Sequence, residues 1–339
     1  MKIEKLLENV RGRRVLVIGD VMLDHYVWGD ASRISPEAPV PVVDVTEDSY
    51  AAGGAANVAL NLASLGGVPV LAGRTGADES GERLSAILRD SGVERVSGLD
   101  TESCRTICKT RVMVRNQQLC RIDREGDSRE YLLQGERSLG SIEEALNRAD
   151  AVLLSDYGKG AISEALIGWI VQKAEGKGVP VSLDPKPRRR LRFNGLDLLT
   201  PNRAEALELA GLSPHLRGKF PAEEVCARIW ENHRPGNLVI TLGADGILLC
   251  REGRPERLIP TYARQVFDVS GAGDTVIASL LLALSAGADL PTAARLANLA
   301  AGVVVGKVGT ATVSAEEILK YLSLHPDLAD PSRETVYSG

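Results

Sequence analysis

The hydrophobic pattern of this chain switches repeatedly between short apolar runs and longer stretches of helical period, and that rhythm predicts alternating strands and helices. Arg14-Val-Leu-Val-Ile-Gly19 has the length and continuity of a buried parallel strand. Similar runs predict strands at 68–73, 151–155, 179–183, 196–199 and 238–241. Helices are predicted at about 79–91, 141–149, 163–177, 222–232 and 291–305, with a small-residue helix from the Gly53-Gly54 pair to Leu65. Val276 to Ala286 is too apolar for a half-exposed element and reads as a buried helix. The order implies β-α-β units with right-handed crossovers, an α/β fold with a mainly parallel sheet.

Two stretches break the rhythm. Gly29 to Val43 holds Pro36, Pro39 and Pro41, which exclude a helix or a central strand, so it reads as an edge ribbon or flap. Residues 104–124 read as two extended segments around Arg115-Asn116-Gln117-Gln118. The tail after about residue 324 is polar, carries Pro326 and Pro331, and is expected to pack loosely.

Composition narrows the partners. The 339 residues carry net charge −5 and only 4% aromatics, which leaves no basic or base-stacking footprint for nucleic acid. No run is long and apolar enough to span a bilayer, and the N-terminus lacks a signal-peptide core. Cys104, Cys108, Cys120, Cys226 and Cys250 fit no zinc spacing and read as buried free thiols in a reducing cytosol. These features predict a soluble cytoplasmic protein.

Candidate chemistry gathers where strands end, the edge at which open α/β sheets bind ligands. Asp20 and Asp24 follow the first strand and could hold sugar hydroxyls or simply form turns. Polar loops recur at Asp156-Tyr157-Gly158-Lys159-Gly160, Asp184-Pro185-Lys186, Asn202-Arg203-Ala204-Glu205 and Gly243-Ala244-Asp245-Gly246. Gly53-Gly54 weakens a helix start unless the backbone must approach something, and Asn57 lies one turn further on. Lys109, Arg111, Arg115 and Arg121 suit either a solvated strand face or an anionic substrate. Gly271-Ala272-Gly273 opens the buried helix, where unpartnered amides and the helix dipole favour an anion. Asp274 then sets a carboxylate beside that anion site, suited to taking a proton from a substrate hydroxyl. Gly302-Val-Val-Val-Gly306-Lys307-Val308 only imitates a phosphate loop, being one residue short and lacking Ser or Thr after the lysine.

Gly53-Gly54-Ala55-Ala56-Asn57 and Asp268-Val269-Ser270-Gly271-Ala272-Gly273-Asp274-Thr275 resemble the two signatures of the ribokinase-like (PfkB) carbohydrate kinases. Gly19-Asp20-Val21-Met22-Leu23-Asp24, the Ser32–Val42 run, Arg115-Asn116-Gln117-Gln118, Leu154-Ser155-Asp156-Tyr157 and Ala301–Lys307 are similar to the heptose 7-phosphate kinases of that family. The resemblance covers residues 10–320. It implies a three-layer α/β fold with a small β lid (segments 24–50 and 104–124), one kinase domain over 1–325, and a tail at 326–339. It further implies ATP-dependent phosphorylation of the anomeric hydroxyl of D-glycero-β-D-manno-heptose 7-phosphate, in ADP-heptose synthesis for lipopolysaccharide. On this resemblance Asp274 is the base and Gly271, Ala272 and Gly273 form the anion hole. Asp20, Asp24, Gly53, Gly54 and Asn57 hold the sugar, and Lys109, Arg111, Arg115, Asn116, Arg121 and Lys186 are candidates for its 7-phosphate side. Asn202, Arg203, Ala204, Glu205, Thr241, Gly243, Gly246 and Asn298 serve ATP, with Glu205 near Mg2+ through water; a monovalent cation stays open. The lid implies a homodimer. No His25, His215, His233 or His325 lies in the H-x-G-H motif of an appended nucleotidylyltransferase, so kinase activity alone is expected. Two alternatives stand beside this: a kinase of the same fold for another sugar, and a non-catalytic sugar or nucleotide sensor.

Overall fold

The computed structural model describes residues 1–101, 103–115, 117–187, 191–216, 218–263, 269–307, 309–329 and 333–337. Helix α1 (Ile3–Asn9) leads into β1 (Arg14–Gly19). The chain then leaves the body as β2 (Val21–Ile34) and returns as β3 (Pro41–Gly54), directly into α2 (Ala55–Ser64). Next come β4 (Val68–Ala72), α3 (Glu79–Asp90), β5 (Glu94–Arg95), and a second excursion, β6 (Ile107–Val114) and β7 (Gln117–Arg124). The second half runs α4 (Glu136–Leu146), β8 (Ala151–Ser155), α5 (Glu164–Glu175), β9 (Val181–Asp184), β10 (Leu198–Leu199), α6 (Arg203–Leu209), α7 (Ala222–His233) and β11 (Asn237–Thr241). A hairpin of β12 (Ile247–Arg251) and β13 (Arg254–Ile259) precedes α8 (Ala272–Ser285), α9 (Leu290–Val304), α10 (Ala315–Leu324) and β14 (Thr335–Val336).

The described residues form a ten-stranded sheet in the order β14-β13-β12-β11-β10-β9-β8-β1-β4-β5. From β5 to β11 every pairing is parallel; β12, β13 and β14 add antiparallel strands. Alternate β1 side chains serve the two faces. Val15 and Val17 join a core with α2, α8 and α9, while Leu16 and Ile18 join one with α4 to α7. The predicted buried helix is α8, sandwiched on the first face, with Leu280 and Leu282 fully buried. The four-stranded lid sheet, β3-β2-β6-β7, stands off this body. Ile34, Val40, Val45, Leu119 and Ile122 are exposed on it.

Three expectations are corrected. Helix α4 begins five residues earlier than the apolar period suggests. The tail is not loose where it is described: β14 pairs with β13, and Glu334, with 1% of its side chain exposed, is ion-paired to Arg257 and Arg295. The five cysteines are not all buried free thiols, because Cys226 on α7 and Cys250 on β12 are joined as a disulfide and Cys120 is exposed. None of the described helices is long and apolar enough to cross a membrane.

Candidate active site

The site grows from the first turn of α8. Gly271 caps it at φ +76°, in the left-handed region, and offers no side-chain cap. A Cβ there would sit 2.9 Å from Asn57 Nδ2 and 3.0 Å from Thr310 Cγ2, so glycine is required twice over. The Ala272 N–H donates to the Val269 carbonyl (3.2 Å), so the turn itself uses one of the three amides expected to face an anion. A Cβ on Gly273 would meet only open space, placing that residue on the wall of a cleft. Asp268, the first signature residue, lies outside the described residues.

Asp274 is 8% exposed, and both its oxygens are engaged. Oδ2 accepts from Asn57 Nδ2 (2.6 Å), and Oδ1 accepts a short hydrogen bond from the Tyr157 hydroxyl. Asn57 is itself fixed: Asn61 Nδ2 donates to its carbonyl (2.9 Å), and Thr275 Oγ1 donates to Asn61 Oδ1 (2.8 Å). This buried network ties α2 to α8. Burial pushes the Asp274 carboxyl up to about 6, against the hydrogen bonds from Tyr157 and Asn57 that pull it down. Asp24 adds to the rise and Lys109 opposes it. A carboxylate poised near neutrality suits a general base. Tyr157 keeps its proton, held high by burial and by the charge of Asp274.

The lid register builds the next part. Asp24 on β2 stands opposite Lys109 on β6, and Tyr26 opposite Arg111. Arg111 Nη1 donates to Asp24 Oδ1 (2.6 Å). Gly53 lets β3 close on that carboxylate, since a Cβ would lie 2.6 Å from Asp24 Oδ2. Burial lowers the Lys109 ammonium, Asp24 raises it, and the charges of Lys159 and Arg121 lower it further. Among the described residues the Lys109 ammonium makes no hydrogen bond or ion pair, whereas Lys159 is paired with Glu125 and Arg121 with Asp123. Arg115 sits at the exposed turn of the β6–β7 hairpin with φ 47°, and no described contact links it to Asp274; Asn116 lies outside the described residues.

Asp20 has a different role from an open sugar ligand in this structure. Only 1% exposed, it accepts the amides of Tyr157 (2.9 Å), Lys159 (2.9 Å) and Ala161 (2.8 Å), and so clamps the loop that carries Tyr157. Tyr157 and Lys159 belong to the polar loop after β8, in which residue pattern alone assigns neither of them an individual role.

A second cleft, of about 700 Å³, has Gly273 on its wall. Asn202, Arg203 and Ala204 from α6, Thr241, Gly243 and Gly246 after β11, and Asn298 of α9 line it together with Ala272 and Gly273. Gly246 adopts φ +102°, and any Cβ there would collide with the Ile259 carbonyl. Asn298 supports the facing loop by donating to the Pro260 carbonyl (2.7 Å). Asn202 and Glu205 form a capping box on α6, and Lys186 Nζ donates to Glu205 Oε1 (3.0 Å). Lys186 is thus tied to the start of α6, apart from the Lys109 group, and lines a separate cavity with Asp156, Pro185 and Phe193. Burial, Glu205 and Asp274 together push the Asp184 carboxyl well above its usual range, with Lys186 acting against them. Among the described residues no three acidic, His or Cys side chains are grouped closely enough to hold a metal by themselves.

Comparison with known proteins identifies the family. Residues 13–318 match the pfkB family carbohydrate kinase profile. The chain is 40% identical over 318 residues to the Bifunctional protein HldE of Sulfurimonas denitrificans, covering 94% of this chain and 66% of that protein. It is 46% identical over 304 residues to the Bifunctional protein HldE of Azotobacter vinelandii, covering 90% and 62%. The chain thus spans about two thirds of the length of the curated relatives it matches. Arabidopsis thaliana ribokinase complexed with ribose and ATP superposes with TM-score 0.72 at 23% identity, over 92% of this chain and 99% of that one. Escherichia coli phosphofructokinase-2 in complex with potassium gives TM-score 0.73 at 19% identity, over 94% and 100%. At such identities the likeness concerns the fold.

Proposed function

The chain belongs to the pfkB family of carbohydrate kinases, and from that premise we propose that it phosphorylates the anomeric hydroxyl of D-glycero-β-D-manno-heptose 7-phosphate with ATP, giving the 1,7-bisphosphate used in ADP-heptose synthesis. What favours a phosphorylated sugar is Lys109. Its half-buried ammonium forms no ion pair among the described residues, stands beside two further cations, and shares its nearby carboxylates, Asp24 and Asp123, with Arg111 and Arg121, so a ligand anion would be favoured there. Arg121 and Lys159 extend the same patch, and their present partners, Asp123 and Glu125, are exchangeable for a phosphate.

In this reading ATP occupies the cleft beyond Gly273 and the sugar lies between Asp24, Asn57 and Asp274. Asp274 takes the anomeric proton while the hydroxyl oxygen bonds to the γ-phosphorus and the bond to the ADP oxygen breaks. The free amides at the start of α8 face the charge that develops on the transferred group. The carboxylates of Asp184 and Glu205, crowded with Asp274 and offset by Lys186, fit a nearby divalent cation held through water. Magnesium bound there with the nucleotide phosphates would neutralise their charge. The apolar side chains exposed on the lid support a homodimer through that sheet.

A coupled ADP-release assay tests the substrate. Heptose 7-phosphate, or sedoheptulose 7-phosphate as a surrogate, should drive ADP release, and the same sugars without phosphate should not. Lys109→Met should lower kcat/KM for the phosphorylated sugar by about 10–100-fold, the worth of one charge-assisted hydrogen bond. Equal turnover of phosphorylated and neutral sugars, indifferent to Lys109, would discard the heptose-phosphate reading while leaving the kinase family intact.

A further inference from the structure

The sugar-kinase reading leaves one arrangement unexplained, and the inference drawn from it rests on that reading. An acceptor hydroxyl must reach an oxygen of Asp274 for its proton to be taken. Each oxygen already accepts one donor from the protein, in a carboxylate only 8% exposed, so an incoming hydroxyl competes with those donors for it. Oδ2 is the less available. Its donor, Asn57, is buried and locked by Asn61, which Thr275 locks in turn. The donor to Oδ1 is different in kind. The Tyr157 hydroxyl is buried but its side chain as a whole is partly exposed, packing at the edge of the small Met22, Cys104, Ile107 and Tyr131 cluster. We propose that Tyr157 is a placeholder for the acceptor hydroxyl: its phenol occupies Asp274 Oδ1 in the sugar-free enzyme, gives way when the sugar binds, and meanwhile keeps the base from activating water against ATP.

The backbone says which part moves. The Tyr157, Lys159 and Ala161 amides are all held by Asp20, and the Gly158 amide by Asp156 Oδ1 (2.8 Å). Gly160 lies at φ +124°, so close to the Ser128 carbonyl that no Cβ would fit. The loop is therefore pinned along its length, and displacement of the phenol is a side-chain rotation. The same pinning returns the phenol to Oδ1 once product leaves. Lys159, two residues on, faces the proposed phosphate patch, so one loop carries both the placeholder and a contact to the ligand that displaces it.

Tyr157→Phe is the test, because it removes the hydroxyl and keeps the ring. ATP hydrolysis without sugar should rise at least about tenfold, the worth of one hydrogen bond to a charged group. The acid limb of the sugar-dependent kcat/KM profile should move to higher pH, since a hydrogen bond that favours the ionised Asp274 is gone. Adding Asp274→Asn should abolish the gain in hydrolysis. A limb that moves without any rise in hydrolysis makes Tyr157 a fixed partner and overturns the placeholder role. An independent check needs no variant: a crystal structure of the wild-type enzyme with sugar phosphate and a non-hydrolysable ATP analogue should show the phenol withdrawn from Asp274, and a phenol still bonded to Oδ1 overturns the proposal. Wild-type ADP release with and without sugar reports separately on the kinase reading, so the two can fail independently.

Discussion

Replacing Asp274 by asparagine is expected to lower sugar-dependent turnover by about 10²–10⁴-fold, the usual contribution of a positioned base. Nucleotide affinity should barely change. The cleft that would take ATP is walled by Asn202, Thr241, Gly243, Gly246, Asn298 and the Ala272-Gly273 backbone, none of which the substitution touches. The carboxylate points the other way, to Asn57 and Tyr157. Asparagine keeps the shape and can still accept from Asn57 and donate to the Tyr157 hydroxyl, but it cannot take up a proton. Asp274→Ala removes the group outright and should lose turnover to the same extent. Initial rates of ADP release paired with calorimetric titration of ATP decide the matter. Near-wild-type turnover in either variant, with the fold intact, would refute the assignment of the base.

The same carboxyl fixes the pH dependence. With its pKa raised to about 6, the ionised base is lost on the acid side, so kcat/KM should fall below that pH. The effect on stability has the opposite sign. The fold favours the protonated form, so this group's contribution is complete below the ordinary carboxylate range and is lost as pH rises through about 6. Activity therefore appears where this residue weakens the fold, as expected of a group held for chemistry.

Much of the fold follows from local pattern. Short apolar runs with polar ends locate β1, β4, β8, β9, β10 and β11, because strands covered on both faces need no alternation. The hairpin of β12 and β13 escapes that rule: β13 is mostly polar, carries Pro255, and is recruited by pairing with β12. Helix α10 is marked by the capping box of Ser314 and Glu317, a signal distinct from periodicity. No local pattern reports β14, whose place depends on Glu334 meeting cations from β13 and α9. The proposed site divides in the same way. Gly271, Gly273 and Asp274 stand out by composition alone, as do the glycines after β11. Asn57 is a candidate from its place after Gly53-Gly54 and Tyr157 from its polar loop, but their bonds to Asp274, 217 and 117 residues away, are not legible. Hydrogen bonds made across such separations leave no spacing in the sequence to be found.

Asp20 shows how the structure separates two readings that residue type leaves equal. As a sugar ligand, its loss would raise KM and leave stability alone. As the clamp of the 157–161 loop, its loss should be felt first in the fold. Asp20→Ala strands three buried or half-buried amides that now share one carboxylate. Hydrogen bonds to a charged group are worth about 1.5–3 kcal/mol each, and they are not independent, so a total of about 4 kcal/mol is expected. In a domain of this size that corresponds to a fall in Tm of roughly 5–10 °C. Turnover should drop as well, because the freed loop no longer presents Tyr157 to Asp274 or Lys159 to the cation patch. Asp20→Asn, which keeps one acceptor, should lie between the two. Thermal unfolding followed beside steady-state kinetics distinguishes the cases: a variant that melts with the wild type and is altered only in KM for the sugar would show that Asp20 serves the ligand and that the loop holds without it.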